Sequence, residues 1–396
     1  MSKEMILEKQ KQAAAILKEK DIDMWMIFVR ETGNIKDPML DMVVGTGATW
    51  HTAFIITKEG DTIAVLGSLE EANMKEVGTF KRIVPYLQGI KEDLRKVLAE
   101  LDPKKIAINY SQNSTLADGL THGLYLDLLE MLEGTPYADR LISSEEVVSA
   151  LRGRKSETEL THMKAAIKET LSIYDQVTGF MKAGKTEKEV ARFVLDIVEE
   201  KGYELSWDAE HCPAVFTGPD SAGAHSGPTD RVIEKGHVVN LDFGVKIEGY
   251  ASDLQRTWYI CKDGEENAPE EVLKGFNVIK ESIQLAAKAL KPGTVAWEID
   301  KVARDYIVEN GYEEYPHGLG HQVGRAAHDG GALLGPRWER YGKIPYMQVE
   351  EGQVFTIEPR LTIPGYGIAT IEEEVVVTKD GCTFLSKPQE EIILIK

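Results

Sequence analysis

Between Asn240 and Trp258 the chain reads "NLDFGVKIEGYASDLQRTW", which sets Asp242 and Asp253 eleven residues apart in runs that otherwise read as strand. An acid in such a run either lies on a solvated face or is buried with a partner, because desolvating an unpartnered carboxylate is costly. The rest of the chain has to decide whether the two acids lie on an exposed sheet face or converge on a metal. The answer constrains the fold of the whole second half.

Three further runs there combine apolar or glycine residues with isolated polar ones: "YPHGLGHQVGRAAHDGG" (315–331), "FTIEPRL" (355–361) and "GIATIEEEVVVT" (367–378). Asp242, Asp253, Glu358 and Glu372 then set four carboxylates against one imidazole, His321. Arg256, Arg325 and Arg360 are too few and too scattered to neutralise all four acids. Taken singly, an acid in a strand is more often on a solvated face, and a lone histidine is more often a structural core residue. The histidines cluster, however: six of the nine lie within 211–328, and His317, His321 and His328 share one glycine-rich loop. Glu372, Glu373 and Glu374 are consecutive, so strand alternation sends Glu373 one way and its neighbours the other without saying which side is functional. Oxygen ligands with a single imidazole suit a hard or borderline divalent ion such as manganese, and disfavour thiolate-type zinc or copper sites. Four carboxylates can neutralise two such ions, which at about 3.5–4 Å apart share a hydroxide and polarise a carbonyl. Strands suit ligands because metal geometry tolerates little drift.

The 396 residues exceed what one core usually supports, so two domains are expected. The pattern changes from mixed strand and helix to charged helical sequence near 140–155, giving an α/β domain over 1–150 and a second domain over 151–396. The first domain is expected to hold helices at 4–20, 91–102 and 123–133, and strands at 24–29, 52–58, 62–66 and 105–110. It carries no nucleotide-binding glycine fingerprint. In the second, helices are expected at 156–182, 187–202, 269–291 and 295–310, with strand-rich stretches at 210–261 and 315–378. Glu157 and Glu159 favour the start of the first of these helices. A formal charge of −19 argues against nucleic acid and anionic membranes as partners. The three cysteines form no C-x-x-C pair, the N-terminal run lacks the apolar core of a signal peptide, and no stretch is long enough to span a bilayer. These features lead to the expectation of a cytoplasmic protein.

At its acids and histidines the sequence resembles the metallopeptidases of the pita-bread fold, which include methionine aminopeptidase, aminopeptidase P, prolidase and the metal-free creatinase. The resemblance is specific over about 150–396 and implies an α/β (α+β) chain, with a creatinase-like N-terminal domain before a pita-bread catalytic domain. Asp242, Asp253, His321, Glu358 and Glu372 match the family's five metal-ligand positions. The loop "HGLGHQVGRAAHD" is similar to that of the proline-specific members, which carries the metal role to His321 and leaves His317 to line the substrate side. His225 and His328 match histidines that contact the reacting carbonyl, with Glu358 as proton shuttle. The implied activity is that of an Xaa-Pro dipeptidase or Xaa-Pro aminopeptidase acting on short proline-containing peptides. The implied cofactors are two divalent ions, manganese first, with cobalt, zinc or iron as alternatives, and the implied assembly is a homodimer.

Four positions in three motifs depart from the pattern. Gln255 stands where the second-Asp motif, D-x-T-R-T, carries threonine; Arg360 and Thr362 replace the glycine and tyrosine of E-P-G-x-Y; and Thr370 replaces an arginine two residues before the last acid. They suggest that Arg360 takes over an anion-binding or acid-steadying role. They also keep open a repurposed hydrolase or lyase acting on a non-peptide substrate, and, further off, a non-catalytic binding module. The stretch "LLGPRWERYGKIPYMQV" after His328 reads equally as pocket rim or surface loop.

Overall fold

A computed structural model describes residues 1–221 and 227–396, and the chain divides into two compact units, Met1–Arg152 and Gly153–Lys396. The first unit runs α1 (Lys3–Glu19), β1 (Met24–Val29), α2 (Leu40–Val43), β2 (Thr52–Thr57), β3 (Thr62–Gly67), α3 (Glu71–Val77), β4 (Arg82–Tyr86), α4 (Lys91–Leu101), β5 (Ile106–Ile108), α5 (His122–Leu132), β6 (Leu141–Ser143) and α6, from Glu145 to the boundary. Its strands form one mixed sheet in the order β4-β3-β2-β1-β5-β6. The run "MWMIFV" is β1, buried on both faces: Trp25, Ile27 and Val29 join the α1 side of the core, and Met24, Met26 and Phe28 the α4 and α5 side. Both faces being covered is why the run is apolar throughout instead of alternating. Two strands were not evident in sequence. In "RIVPY", the run that becomes β4, Pro85 removes a ladder donor, which suits an edge strand; β6 is three residues long.

The second unit begins with α7 (Glu157–Phe180) and α8 (Glu187–Lys201). Both open on capping boxes, Ser156 with Glu159 and Thr186 with Glu189, in which each side chain satisfies the other residue's backbone donor. Then come β7 (Glu204–Leu205), β8 (Ala214–Thr217), β9 (Val238–Phe243), β10 (Val245–Ile247), β11 (Tyr250–Ala251), β12 (Leu254–Ile260), α9 (Glu270–Ala289) and α10 (Ala296–Glu309). After α10 the structure is sparser in strand than the sequence suggests. Between Tyr315 and Val349 there are only β13 (Gly320–His321), β14 (Leu333–Leu334) and two 3₁₀ turns, and the glycines there serve close packing more than pairing. The chain then forms β15 (Val354–Ile357), β16 (Arg360–Ile363), β17 (Gly367–Thr370), β18 (Glu373–Val377), β19 (Cys382–Phe384) and β20 (Ile393–Ile395).

These elements form two helix-backed cores. One joins α7 and α8 to β8, β9 and β12 through Ile167, Tyr174, Val194, Leu241 and Trp258. The other joins α9 and α10 to β15–β18 through Phe276, Ile279, Ile299, Leu361 and Val375. Along β9, Val239, Leu241 and Phe243 all enter the first core, so alternation turns Asn240 and Asp242 to the opposite face. In β12, Leu254 and Trp258 do the same and turn Gln255 and Thr257 away. The Tyr174 hydroxyl bonds the carbonyls of Leu241 (3.1 Å) and Leu254 (2.5 Å), fastening both strands to α7. Among the described residues, no helix is long and apolar enough to cross a membrane.

Candidate metal centre

The antiparallel β9–β12 ladder sets Gln255 opposite Asp242, and Asp253 sits just before β12. The connection between the two acids is tight: a Cβ at Gly244 would lie 1.8 Å from the Ser252 carbonyl, so only glycine fits there. The other side of the centre comes from β13, the end of β15 and the start of β18. A Cβ at Gly320 would lie 2.0 Å from the Thr356 carbonyl, and this close approach seats His321, whose N–H donates to Thr356 Oγ1 at 3.0 Å.

All five sequence-predicted centre residues come together. Ligand atoms of Asp253, His321 and Glu372 lie within 4.8 Å of one another. His321 Nε2 is 3.7 Å from Asp253 Oδ2 and 3.4 Å from Glu358 Oε1. The Asp242 and Asp253 carboxyl groups are in hydrogen-bond contact. His328 is exposed, its ring edge-on to His321 at 4.2 Å between centroids. His317 is partly buried, with Nδ1 2.7 Å from the Gly318 carbonyl; the N–H of Gly318 donates to the Tyr341 hydroxyl, which ties the loop after His328 to the His317 side. His225 lies outside the described residues. Arg360 is partly buried, pairs across the ladder with Thr370, and has no ion-pair partner among the described residues.

The glutamate triplet is divided by its contacts. Glu373 pairs with Arg256 at 3.1 Å and accepts from Ser386 and Gln389, so the nearest arginine is committed away from the centre. Glu372 accepts from Gln255 Nε2 at 2.8 Å, and Glu374 accepts the N–H of Asp253 at 2.7 Å. Sequence reasoning missed the support that Glu374 gives Asp253; its signal was parity, since Glu372 and Glu374 share one side of the strand.

Four clustered carboxylates without a compensating base are electrostatically unstable. Burial, then mutual repulsion, holds Asp253, Glu358 and Glu372 well above the ordinary carboxylate range, and burial also raises Asp242. Burial pushes Glu374 up to about 8. It drives His321 well below its usual value, with His328 adding to the effect, so the imidazole is neutral and can offer a lone pair. Asp242 Oδ1 and Glu372 Oε1 are buried acceptors with no donor among the described residues. Orphaned oxygens beside one neutral imidazole fit divalent cations. A cavity of about 210 Å³ in the first unit, lined in part by Arg30, Asn34 and Thr121, contains none of these groups.

A pH dependence follows for the metal-free protein. Each raised carboxyl keeps its proton in the folded state after the unfolded chain has released its own. Stability is therefore fully present below the unfolded value near 4 and is lost as pH rises toward the raised folded values. The melting temperature of chelator-treated protein is expected to fall between about pH 5 and 8, and saturating manganese should abolish that fall. A melting temperature that rises with pH across the same window in the absence of metal would contradict the arrangement.

The sequence profile of Metallopeptidase family M24 matches residues 161–379. An Xaa-Pro dipeptidase of Pyrococcus horikoshii is 30% identical over 281 residues, covering 69% of this chain and 74% of that protein. An uncharacterised peptidase of Staphylococcus aureus is 28% identical over 342 residues, covering 84% and 87%. The solved structure of an Xaa-Pro dipeptidase from Bacillus anthracis aligns with a TM-score of 0.74 at 25% identity, covering 98% of this chain and 100% of that one.

Proposed function

Since the chain belongs to metallopeptidase family M24 and is a peptidase with a creatinase-like first unit and a pita-bread second unit, we propose that it cleaves the amide bond between an N-terminal residue and proline in small peptides. The observation that carries the chemistry is the group of Asp242, Asp253, Glu358 and Glu372, buried or partly buried, around a neutral His321, with Arg256 committed elsewhere. The substrate class rests on the Xaa-Pro dipeptidases among the relatives.

Asp242, Asp253, His321, Glu358 and Glu372 would hold two divalent cations, manganese first. When bound, these supply a nucleophile at neutral pH and a Lewis acid for the scissile carbonyl. Proline offers a tertiary amide with no N–H and a fixed φ, so a shaped site must replace ordinary backbone recognition. Glu358 accepts a proton from the attacking water at Oε1 or Oε2 and returns it to the proline nitrogen as the bond breaks. His328, with His225, donates to the carbonyl oxygen as it gains charge. His317 lines the substrate side, held by the carbonyl-bound Arg304. A homodimer and a cytoplasmic location belong to the same reading; three free cysteines accord with a reducing compartment.

Arg360 is the chain's own contribution to specificity. The cation stands directly opposite the position from which the family's arginine is missing, and it steadies no acid of the centre. It is therefore free to receive a substrate carboxylate. Arg360→Gln should raise KM for Gly-Pro by about 10-fold or more with kcat little changed, since a hydrogen bond to a charged group contributes ~1.5–3 kcal/mol. Gly-Pro amide should be unaffected.

The test of the function is hydrolysis of Gly-Pro, Leu-Pro and Leu-Pro-Gly by manganese-loaded protein. Metal-dependent release of the N-terminal residue supports the reading, and the dipeptide-to-tripeptide ratio separates dipeptidase from aminopeptidase action. Bound cations without turnover of any of the three would move the search to non-peptide substrates.

A further inference from the structure

Gln255 occupies the threonine position of the related motif, yet its surroundings are those of a working part of the centre. It is 3% exposed, faces Asp242 across the β9–β12 ladder and forms a backbone bridge to Glu372. Its Nε2 lies 2.8 Å from Glu372 Oε2 and 3.4 Å from Glu358 Oε2. Two carboxylates, one just after β15 and one just before β18, thus share the two protons of one NH₂ group. The reverse orientation would set a carbonyl oxygen against two carboxylate oxygens, so the neighbours fix which end of the amide points at them. The other end, Oε1, is buried and has no donor among the described residues.

The chemistry of that position is selective. Two buried acids side by side repel, and a lysine or arginine between them would hold them but cancel the charge that attracts a cation. A neutral double donor holds both and leaves their charge intact. A threonine hydroxyl has one proton and a shorter reach, so it serves one carboxylate at a time.

We propose that Gln255 is a positioning residue that presents Glu358 and Glu372 as a pair to a divalent cation, its Oε1 left as an acceptor for that cation's hydration shell. The proposal rests on the metallopeptidase reading of the centre. It assigns Gln255 no contact with the peptide.

The experiment is a calorimetric titration of manganese alone into metal-free wild type, Gln255→Met and Gln255→Thr, with the melting temperature of each metal-free protein as the check on folding. Methionine matches glutamine in length and lacks its donors. Gln255→Met should bind about 10–100-fold more weakly, the usual loss when a residue orienting a metal ligand is removed, and Gln255→Thr should fall between it and the wild type. A packing role predicts the opposite order, because methionine fills the space better than threonine. Methionine binding as tightly as wild type, or more tightly than threonine, overturns the proposal. If either variant does not fold, a crystal structure of the manganese-loaded wild type decides: Nε2 within about 3.2 Å of both carboxylates supports the proposal, and a carboxamide turned from either one overturns it. Wild type that binds no manganese and cleaves no Gly-Pro overturns the metallopeptidase reading, and this proposal with it. Binding by the wild type with unaltered variants overturns this proposal alone.

Discussion

Glu358→Gln is expected to lower kcat on Gly-Pro by about 10²–10⁴-fold, the range that a positioned proton-transfer group contributes, while the protein still takes up divalent cation. The reason lies in the position of this acid. Its Oε1 is 3.4 Å from His321 Nε2 and 3.5 Å from the Thr356 hydroxyl, and its Oε2 is 3.4 Å from Gln255 Nε2. It is also partly exposed where Asp253 and Glu372 are buried, which leaves Glu358 open to exchange a proton with a substrate. An amide in its place keeps an oxygen for a cation and cannot carry the proton. The check is steady-state kinetics alongside elemental analysis of bound metal. Wild-type turnover in the variant would remove Glu358 from proton transfer, and complete loss of metal would reduce it to a ligand.

The second large effect has opposite signs for stability and activity. Asp253→Asn should take peptidase activity to background and abolish the rise in melting temperature on adding manganese, while raising the melting temperature of the metal-free protein. Asp253 is 6% exposed and feels Asp242, Glu358 and Glu374. An asparagine there stays neutral at every pH without having to hold a proton against its neighbours, and it can donate to Asp242. Relief of about 1–3 kcal/mol of unsatisfied burial corresponds to several degrees, at roughly 2–4 °C per kcal/mol for a unit of this size. Differential scanning calorimetry with and without chelator measures both signs. A metal-free variant that melts below wild type would show that the acids are not in conflict.

The acids themselves were legible in the sequence, because a carboxylate amid β-forming residues is conspicuous and parity fixes its face: Leu241 and Phe243 enter the helix-backed core, so Asp242 points away from it. The histidines were legible because three of them, His317, His321 and His328, share one glycine-rich loop. Long-range pairing was not. Nothing local says that Ile393–Ile395 at the chain's end lies parallel to β12, or that Arg256 spends its charge on Glu373 instead of on a neighbouring acid. β4 was hidden by Pro85, and the stretch after α10 reads as strand only because its apolar residues are needed for packing. Gln255 was visible as a departure, but its two carboxylate contacts depend on the meeting of β12 with the residues before β18.

The β15–β18 ladder pairs Ile357 with Glu373 and Thr356 with Glu374. A slip of one residue would exchange the sides served by the triplet: Glu373 would leave Arg256 for the centre, and Glu372 or Glu374 would be left buried against a cation meant for its neighbour. Every acid would still be present in the composition, and the site would be lost. Single-residue insertions should therefore be tolerated at the β16–β17 turn, around Gly365, and rejected between Ile371 and Val375. The frame of this ladder is as much an inherited part of the centre as the identity of any ligand.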